Sequence, residues 1–266
     1  MIKTSLVSVV IPAYNAEKTI ADCLDSVNDQ TYPDIEIIVI NDGSADQTLK
    51  LLEEYQRFSL RPLRIYTQKN AGPSVARNCG ISLAKGEYIA FLDADDRWVK
   101  DKIENQLKVF ESDRSIGLVA GLISVGKAVR NKEKFQVKQI SLNQLIFKNY
   151  FVTSTVVCKK SSLNSIGFNN HQKYAEDYRV WLEVAASGLK CVVLQQYVTI
   201  MNDKPLYGFA GLSSNLWAME KGEIANFTCL KNKGKLPVAF YWGACFFSFS
   251  KFIRRFLITV LRKQLR

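Results

Sequence analysis

The first 125 residues alternate between two hydrophobic periods, and this alternation limits the folds open to the chain. Short β-branched runs without polar alternation are typical of strands buried on both faces, and helical patterns separate them. Strands that alternate with helices predict an α/β fold whose parallel sheet is joined by right-handed crossovers. The predicted strands cover residues 7–11, 35–40, 64–66, 88–92 and 116–125, and the predicted helices cover residues 19–28, 46–55, 73–83 and 101–110.

For two of these helices the sequence also predicts the residue that caps the N-terminus. Asn15 is placed to cap the first helix, and Ser44 is placed to cap the second, with Gln47 completing a Ser-x-x-Gln capping box.

The second half of the chain is less regular. We predict a helix over 141–150, a strand over 153–158, an amphipathic helix over 176–186 and a strand over 191–201. From Leu212 onward the pattern is helical. Because there is no internal repeat and no low-complexity linker, we expect one main unit over residues 1–211, with halves at 1–125 and 126–211, and a helical extension over 212–266.

Polar residues cluster where the predicted strands end. The first strand ends at Pro12, Tyr14 and Asn15, the second at Asp42, and the fourth at Asp93. Ligands of parallel sheets bind beyond the carboxyl ends of the strands. We therefore expect these clusters to lie along one edge of the sheet and to form a ligand site.

Asp93, Asp95 and Asp96 follow a buried strand at very short spacing. Carboxylates so close together repel one another unless a cation or a proton relieves them. Mg²⁺ and Mn²⁺ are held by one or two carboxylates plus substrate phosphates, so the cluster is a candidate metal site that would hold a diphosphate. The alternative is a solvated turn that caps the next helix.

The other two strand ends suit a nucleobase. The carboxylate of Asp42 can accept a base N–H, and the ring of Tyr14 can stack on a planar base. The alternatives are a helix-capping turn at Asp42 and a tyrosine packed on the rim at Tyr14.

Three further positions are candidates. Arg77 lies in a helix that opens with glycine and proline, and both a helix N-terminus and an arginine favour anions, so Arg77 is expected either to contact a nucleotide or to brace the carboxylates. The acidic pair Glu176 and Asp177 either suits a helix dipole or supplies a general base for an acceptor hydroxyl. His171 is the only histidine, which excludes a multi-histidine metal site, and we place it in a loop near the acceptor.

Taken together, these motifs resemble the family 2 glycosyltransferases, inverting enzymes with the GT-A fold. The resemblance covers roughly residues 5–200. It rests on the order and spacing of five segments, which are residues 9–15, 41–44, 76–80, 86–96 and 176–178.

The resemblance implies a role for each matching position. Asp42 would contact uracil, Tyr14 would stack on the base, and Pro12 would shape that pocket. Asp93 and Asp95 would match the Asp-x-Asp motif of the family, with Asp95 the more direct ligand of Mn²⁺ or Mg²⁺ and Asp96 beside it. Asp177 would be the catalytic base, with Glu176 as its neighbour.

The chain departs from the processive members of the family. It has neither the Gln-x-x-Arg-Trp motif after the acidic pair nor a bundle of membrane-spanning segments. We therefore expect transfer of one sugar from a UDP-sugar to a hydroxyl of a lipid-linked glycan, as in bacterial O-antigen, capsule or lipopolysaccharide assembly. The alternatives are a polyprenyl-phosphate glycosyltransferase and a non-catalytic membrane-binding module with a relic sugar-nucleotide fold.

The net charge of +11 comes mostly from the C-terminal tail, where residues 224–266 hold nine Lys or Arg and no Asp or Glu. Residues 236–250 are apolar but fall short of the roughly 20 residues that span a bilayer. A segment of this kind favours a helix lying on an anionic membrane rather than binding to nucleic acid. The alternative is a core helix with a solvated basic end.

The first residues of the chain and the spacing of its cysteines indicate the cellular compartment in which we expect the protein. Met1 leads into an apolar strand without a cleavage-site pattern, and no two of the six cysteines have C-x-x-C spacing. We expect reduced core cysteines and an enzyme at the cytoplasmic face of the inner membrane.

Overall fold

A computed structural model describes residues 5–127, 131, 135–202 and 215–264, without the side chains of 262–264. These residues contain nine strands in one sheet, in the order β3-β2-β1-β4-β8-β6-β9-β5, with β7 paired to β9. The strands are β1 (Val7–Ala13), β2 (Ile35–Asn41), β3 (Leu63–Thr67), β4 (Tyr88–Phe91), β5 (Asp96–Trp98), β6 (Ile116–Val125), β7 (Val137–Ile140), β8 (Val157–Lys159) and β9 (Lys190–Met201).

The sheet is mostly parallel. β3, β2, β1, β4, β6 and β9 run in one direction, and β5, β7 and β8 run in the other. The carboxyl ends of β1, β2 and β4 therefore lie at the same edge, as the sequence predicts, and the carboxyl end of β9 lies there as well.

Helices flank this sheet. They are α1 (Ile20–Asn28), α2 (Thr48–Gln56), α3 (Pro73–Leu83), α4 (Lys102–Ser112), α5 (Leu142–Phe147), α6 (Glu176–Ala186), α7 (Leu216–Asn232) and α8 (Val238–Gln264), with short 3-10 turns at Thr153–Thr155 and Lys160–Leu163. The α/β architecture predicted from the two hydrophobic periods is thus confirmed.

Successive residues of the central strands point to opposite faces of the sheet and fill two separate cores. Val10 and Ile38 pack with Phe91 and Trp181 in the core that includes α6. Val9, Ile37 and their alternate neighbours pack in the core that includes α1, α2 and α4. Burial on both faces explains why these strands are almost entirely apolar in sequence, with Ser8 and Glu36 as buried polar residues that hydrogen-bond to each other.

Two predicted helix starts are wrong. Asn15 does not cap α1, because Thr19 is the N-cap residue and no side chain caps that position. Ser44 does not cap α2, which starts at Thr48 after Gln47. The Ser44 hydroxyl instead accepts the backbone N–H of Asn15 at 3.0 Å, so a tertiary contact replaces the local one.

The second half differs from prediction in detail. The segment predicted as a strand over 153–158 is a 3-10 turn followed by β8, and the helix predicted over 141–150 is the shorter α5 with a Ser141–Gln144 capping box. β5 and β7 were not predicted, because each is short and is defined by its pairing with β9.

The C-terminal helices belong to the same packed body. Phe227 and Leu230 of α7 and Tyr241 and Ala244 of α8 are buried in the core that contains Trp181 of α6. Among the described residues, no helix is long and apolar enough to span a membrane. The predicted boundary at residues 211 and 212 lies outside the described residues, so that division stays a prediction.

Gly80 lets α3 lie close against β1, because a Cβ at this position would collide with the buried side chain of Val10. We expect Gly80→Ala to lower the free energy of unfolding by about 1 kcal/mol, since overpacking costs about 1–3 kcal/mol and alanine regains about 1 kcal/mol of helix preference. Urea unfolding measures the change. Gly243→Ala in α8 is the matched control, because a Cβ there meets nothing within 4 Å and stability should rise slightly. Equal effects at both positions would contradict the close approach.

Candidate functional site

Loops at the carboxyl edge of the sheet are tied to one another by side chains. The Asn15 backbone N–H donates to Ser44 Oγ at 3.0 Å, and Ala45 N–H donates to Asn15 Oδ1 at 2.9 Å. Pro12 is half-buried at the end of β1, and Tyr14 is 55% exposed beside it. The exposed ring leaves Tyr14 open to stack on a planar ligand, which stays a prediction.

Asp42 is buried after β2 and organises the loop that leads into α3. Its Oδ1 accepts from Gln68 Nε2 at 2.7 Å and from Ala71 N–H at 2.9 Å, and its Oδ2 accepts from Gly72 N–H at 2.8 Å. Asp42 therefore stabilises a turn. It does not cap the next helix, which was the alternative prediction. A carboxylate oxygen with one donor retains acceptor capacity, so base recognition through Oδ2 stays a prediction.

Arg77 is the central contact of the site. Its buried guanidinium donates through Nη2 to Asp93 Oδ1 at 2.8 Å and through Nη1 to Glu176 Oε1 at 3.1 Å. Its Cζ lies 5.3 Å from the centre of the Phe168 ring. Although burial opposes the charge, Asp93 and Glu176 raise the pKa of Arg77 above its ordinary value. One cation thus joins the end of β4 to the start of α6.

The three clustered aspartates have different environments. The side chain of Asp93 is 35% exposed. Asp96 is buried and accepts from Ser154 Oγ at 2.5 Å, and burial, with the charge of Asp93, raises its pKa to about 7. Asp95 is half-buried and lines a cleft of about 630 Å³ together with Asp46 and Asn202.

This cluster fits a divalent cation as a partial ligand set. Among the described residues, no three His, Cys, Asp or Glu side chains come together as a metal site. Hard cations such as Mg²⁺ need only one or two carboxylates when substrate phosphates complete the shell. Burial, and then the charge of Asp93, raise the pKa of Asp96, and a cation would relieve the second of these effects. Metal binding by Asp93, Asp95 and Asp96 stays a prediction.

Asp177 is held in one orientation at the first turn of α6. Its Oδ2 accepts from Thr153 Oγ1 at 2.8 Å, and its Oδ1 accepts from Tyr178 N–H at 2.6 Å. Burial raises its pKa, against the lowering effects of Arg77 and of these hydrogen bonds. Burial, and then the neighbouring Asp177, also raise the pKa of Glu176, to about 7. A carboxylate with a raised pKa is a stronger base, which suits proton removal from a hydroxyl.

His171 lies apart from this group. It is exposed, and its backbone N–H donates to Asn169 Oδ1 at 3.0 Å. Its described contacts do not join it to the acidic pair, so an acceptor-side role rests on sequence proximity alone.

Sequence reasoning missed several residues that shape the site. Ser154 bonds Asp96 and the backbone N–H of Asp93, and Thr153 bonds Asp177. Asn202 follows β9 and donates to the Asp95 carbonyl at 2.7 Å. Like Asp42, Asn202 follows the carboxyl end of a strand, so the sequence could have identified it. The hydroxyl groups of Thr153 and Ser154 could not be identified in this way, because their hydrogen-bond partners are distant in sequence.

A family model described as glycosyl transferase family 2 matches residues 8–169 of this chain. The chain belongs to glycosyl transferase family 2. It is therefore a glycosyltransferase, and the resemblance found from the motifs is confirmed.

Two relatives of this family 2 member carry names from bacterial polysaccharide biosynthesis. It is 31% identical to "Putative teichuronic acid biosynthesis glycosyltransferase TuaG" of Bacillus subtilis, over 81% of this chain and 84% of that protein. It is 34% identical to "UDP-Glc:alpha-D-GlcNAc-diphosphoundecaprenol beta-1,3-glucosyltransferase WfaP" of Escherichia coli, over 70% of this chain and 72% of that protein.

Solved glycosyltransferases share the fold of this family 2 chain. The mannosyltransferase PcManGT from Pyrobaculum calidifontis, in complex with GDP-Man and Mn²⁺, matches with a TM-score of 0.71 at 18% identity, over 92% of this chain and 70% of that one. Against the longer chains of S. aureus TarS, at 22% identity and TM-scores near 0.65, this chain spans 39% to 66% of their length. These matches establish the GT-A architecture.

Replacing Arg77 by methionine should leave Glu176 buried without its counter-charge. We expect Arg77→Met to lower the free energy of unfolding by about 3 kcal/mol at pH 8, as when one partner of a buried ion pair is removed. A carboxyl group whose pKa is raised on folding weakens the fold as pH rises through that pKa. The loss should therefore shrink toward pH 5, where Glu176 is protonated.

Urea unfolding at both pH values measures this loss. Arg57→Met is the control, because Arg57 is exposed and its replacement should change stability by less than about 0.5 kcal/mol. A loss that is independent of pH would contradict the proposed origin in an unpaired carboxylate.

Proposed function

We propose that this enzyme transfers a single sugar, with inversion, from a UDP-sugar to a hydroxyl of a lipid-linked bacterial glycan. The coarse activity follows from the family, whereas the donor, the acceptor and the residue roles are proposals. The donor and the lipid-linked acceptor are supported by the printed activity of the relative WfaP, which uses UDP-glucose and a diphosphoundecaprenol-linked sugar. Assembly of O-antigen, capsule or lipopolysaccharide is the setting we propose.

One observation carries this proposal: Arg77 joins Asp93 at the nucleotide edge of the sheet to Glu176, next to Asp177. A sugar bound between these groups would have its leaving diphosphate on the side of Asp93 and its acceptor on the side of Asp177. Inversion requires attack from the face opposite the leaving group, and in this proposal Asp93 and Asp177 would serve the two faces.

The proposed reaction needs one base. Asp177 accepts one hydrogen bond at each carboxylate oxygen and has capacity for a further proton donor. It would take the proton of the acceptor hydroxyl as that oxygen attacks the anomeric carbon, and the bond to the nucleoside diphosphate would break. Arg77 would keep Glu176 and Asp177 in place and add positive charge near the leaving group.

Mn²⁺ or Mg²⁺ would be held by Asp95 and Asp93, with Asp96 adjacent. When bound, such a cation supplies charge neutralisation for the leaving diphosphate. The Mn²⁺ in PcManGT, which has the same fold, supports a divalent ion. Tyr14, Pro12 and Asp42 would receive the uracil base.

Hydrolysis of nucleotide sugars tests both roles without knowledge of the acceptor. We expect the wild-type enzyme to release UDP slowly from one of UDP-glucose, UDP-galactose, UDP-GlcNAc and their GDP or dTDP counterparts, and only with Mn²⁺ or Mg²⁺ present. Asp177→Asn should lose about 10²-fold or more of this rate, because the base is gone, while its affinity for UDP measured by calorimetry stays unchanged. Asp95→Ala should lose metal-dependent UDP binding as well.

Two outcomes would overturn the assignments. Normal turnover in Asp177→Asn would exclude Asp177 as the base and would favour attack by a phosphate, as in polyprenyl-phosphate glycosyltransferases. Absence of UDP binding in the presence of Mn²⁺ would exclude a UDP donor. Asp101→Asn is a matched control, because Asp101 precedes α4 without capping it through its side chain, and the hydrogen bond that its Oδ2 accepts from Asn105 Nδ2 at 2.8 Å can be kept by an amide oxygen.

We also propose that α8 attaches the enzyme to the cytoplasmic face of the inner membrane. Along one side of this helix the large apolar side chains are exposed, among them Trp242 at 66%, Phe246 at 79% and Leu257 at 54%. Arg254 is exposed on the same helix, and further Lys and Arg residues follow in sequence. An apolar stripe with basic residues suits the interface of an anionic leaflet, where the lipid-linked acceptor lies.

Co-sedimentation with phosphatidylglycerol vesicles tests this attachment. We expect the triple variant Trp242→Ser, Phe246→Ser and Leu257→Ser to lose about 10²-fold or more in vesicle affinity, because each buried apolar side chain contributes about 1.5–3 kcal/mol. Phe58→Ser with Leu60→Ser is the control, since these two side chains are 82% and 84% exposed outside α8. Unchanged vesicle binding, or a wild-type dimer that the triple variant dissolves, would overturn the membrane role.

A further inference from the structure

Asn226 of α7 contacts the residue before the acidic pair Glu176 and Asp177, although Asn226 is about 50 residues further along the chain. Its side chain is fully buried. Its Nδ2 donates to the Ala175 carbonyl at 2.8 Å, and its Oδ1 accepts from Gln172 Nε2 at 2.8 Å. Both ends of this amide are therefore used to hold the residues immediately before Glu176.

Ala175 needs such support because its backbone is left-handed, with φ of 54° and ψ of 31°. This conformation is unfavourable for any residue with a Cβ, and it persists only where surrounding contacts determine it. The Ala175 carbonyl also accepts the α6 bond from Arg179 N–H at 3.2 Å and a bond from Gln172 Nε2 at 3.2 Å. The turn at Ala175 sets the direction in which α6 begins.

Close packing of α7 reinforces the same turn. Gly222 lies against the Tyr174 carbonyl, with which a Cβ at position 222 would collide. Gly222 and Asn226 are one helical turn apart, so they present one face of α7 to residues 174–175. The opposite end of the loop is held by Asn78 of α3, which donates to the Phe168 carbonyl at 2.7 Å. The loop is thus fixed between α3, which carries Arg77, and α7.

We propose that Asn226 is a positioning residue for the catalytic base, and that it acts by holding Ala175 in its left-handed conformation. The inference rests on the proposed role of Asp177. Asn226 touches neither Asp177 nor the substrate side of the site; it fixes the backbone from which Glu176 and Asp177 project. The helix α7 is therefore part of the catalytic unit, although it lies beyond the residues that the family model matches.

Kinetics of nucleotide-sugar hydrolysis test this role, with the donor that the wild-type enzyme hydrolyses fastest. We expect Asn226→Ala to lower kcat about tenfold or more, because small displacements of a catalytic group are costly, while KM for the donor and the UDP affinity change little. Asn232→Ala is the matched control, since it is the same substitution at an exposed position of the same helix, and it should keep the wild-type kcat.

Restoration by a second substitution separates positioning from general loss of structure. Glycine adopts positive φ readily, so Ala175→Gly should recover most of the lost kcat when combined with Asn226→Ala. Gly222→Ala, which pushes α7 away from Tyr174, should reproduce the kcat defect of Asn226→Ala. A defect in Asn226→Ala that Ala175→Gly fails to reverse, or that appears equally in UDP affinity, would overturn the positioning role.

The failure of this inference and that of the proposed function are distinguishable. Wild-type kcat in Asn226→Ala, together with an inactive Asp177→Asn, would overturn the role of Asn226 alone. Wild-type turnover in Asp177→Asn would overturn both.

Discussion

The buried guanidinium of Arg77 is the interaction on which the site depends. Its positive charge lies between Asp93 and Glu176, and it forms an ion pair with both. Two carboxylates brought together in a buried site without a cation would repel each other and lose solvation. With Arg77 present, the chain can place one acidic group at the end of β4 and another at the start of α6, each within hydrogen-bond distance of the same guanidinium.

Some acidic residues of the candidate site also hold the structure around the site in place. Asp42 holds the loop before α3 through three N–H donors, and that loop starts the helix that carries Arg77. Asp96 bonds Ser154 and lies inward from Asp93. Substitution at such positions would therefore disturb the fold around Arg77, whereas Asp95 and Tyr14 lie at the open side of the site.

The C-terminal helices connect the catalytic region with the exposed apolar side of α8. On one side of α7, Asn226 holds the turn before the acidic pair. Toward α8, buried Glu223 accepts from Ser248 at 2.9 Å, and Arg255 of α8 pairs with Glu220 at 3.2 Å. Through these contacts α7 fixes the position of α8 relative to Asp177. With the membrane attachment that we propose for α8, these contacts would give Asp177 a defined orientation relative to the membrane.

The sequence by itself determined the architecture and most of the candidate site. Hydrophobic periodicity predicted the central strands and helices. The rule that ligands bind beyond the carboxyl ends of parallel strands identified Asp42, Asp93 and Asp95 as candidates. These signals are local, because burial and backbone direction repeat every few residues. Only the tertiary structure decided that Ser44 bonds Asn15 rather than capping α2, that Thr153 holds Asp177, and that Asn226 holds Ala175. Those contacts join residues 24 to 51 positions apart, and hydrogen-bond partners at such separations leave no periodic pattern in the sequence.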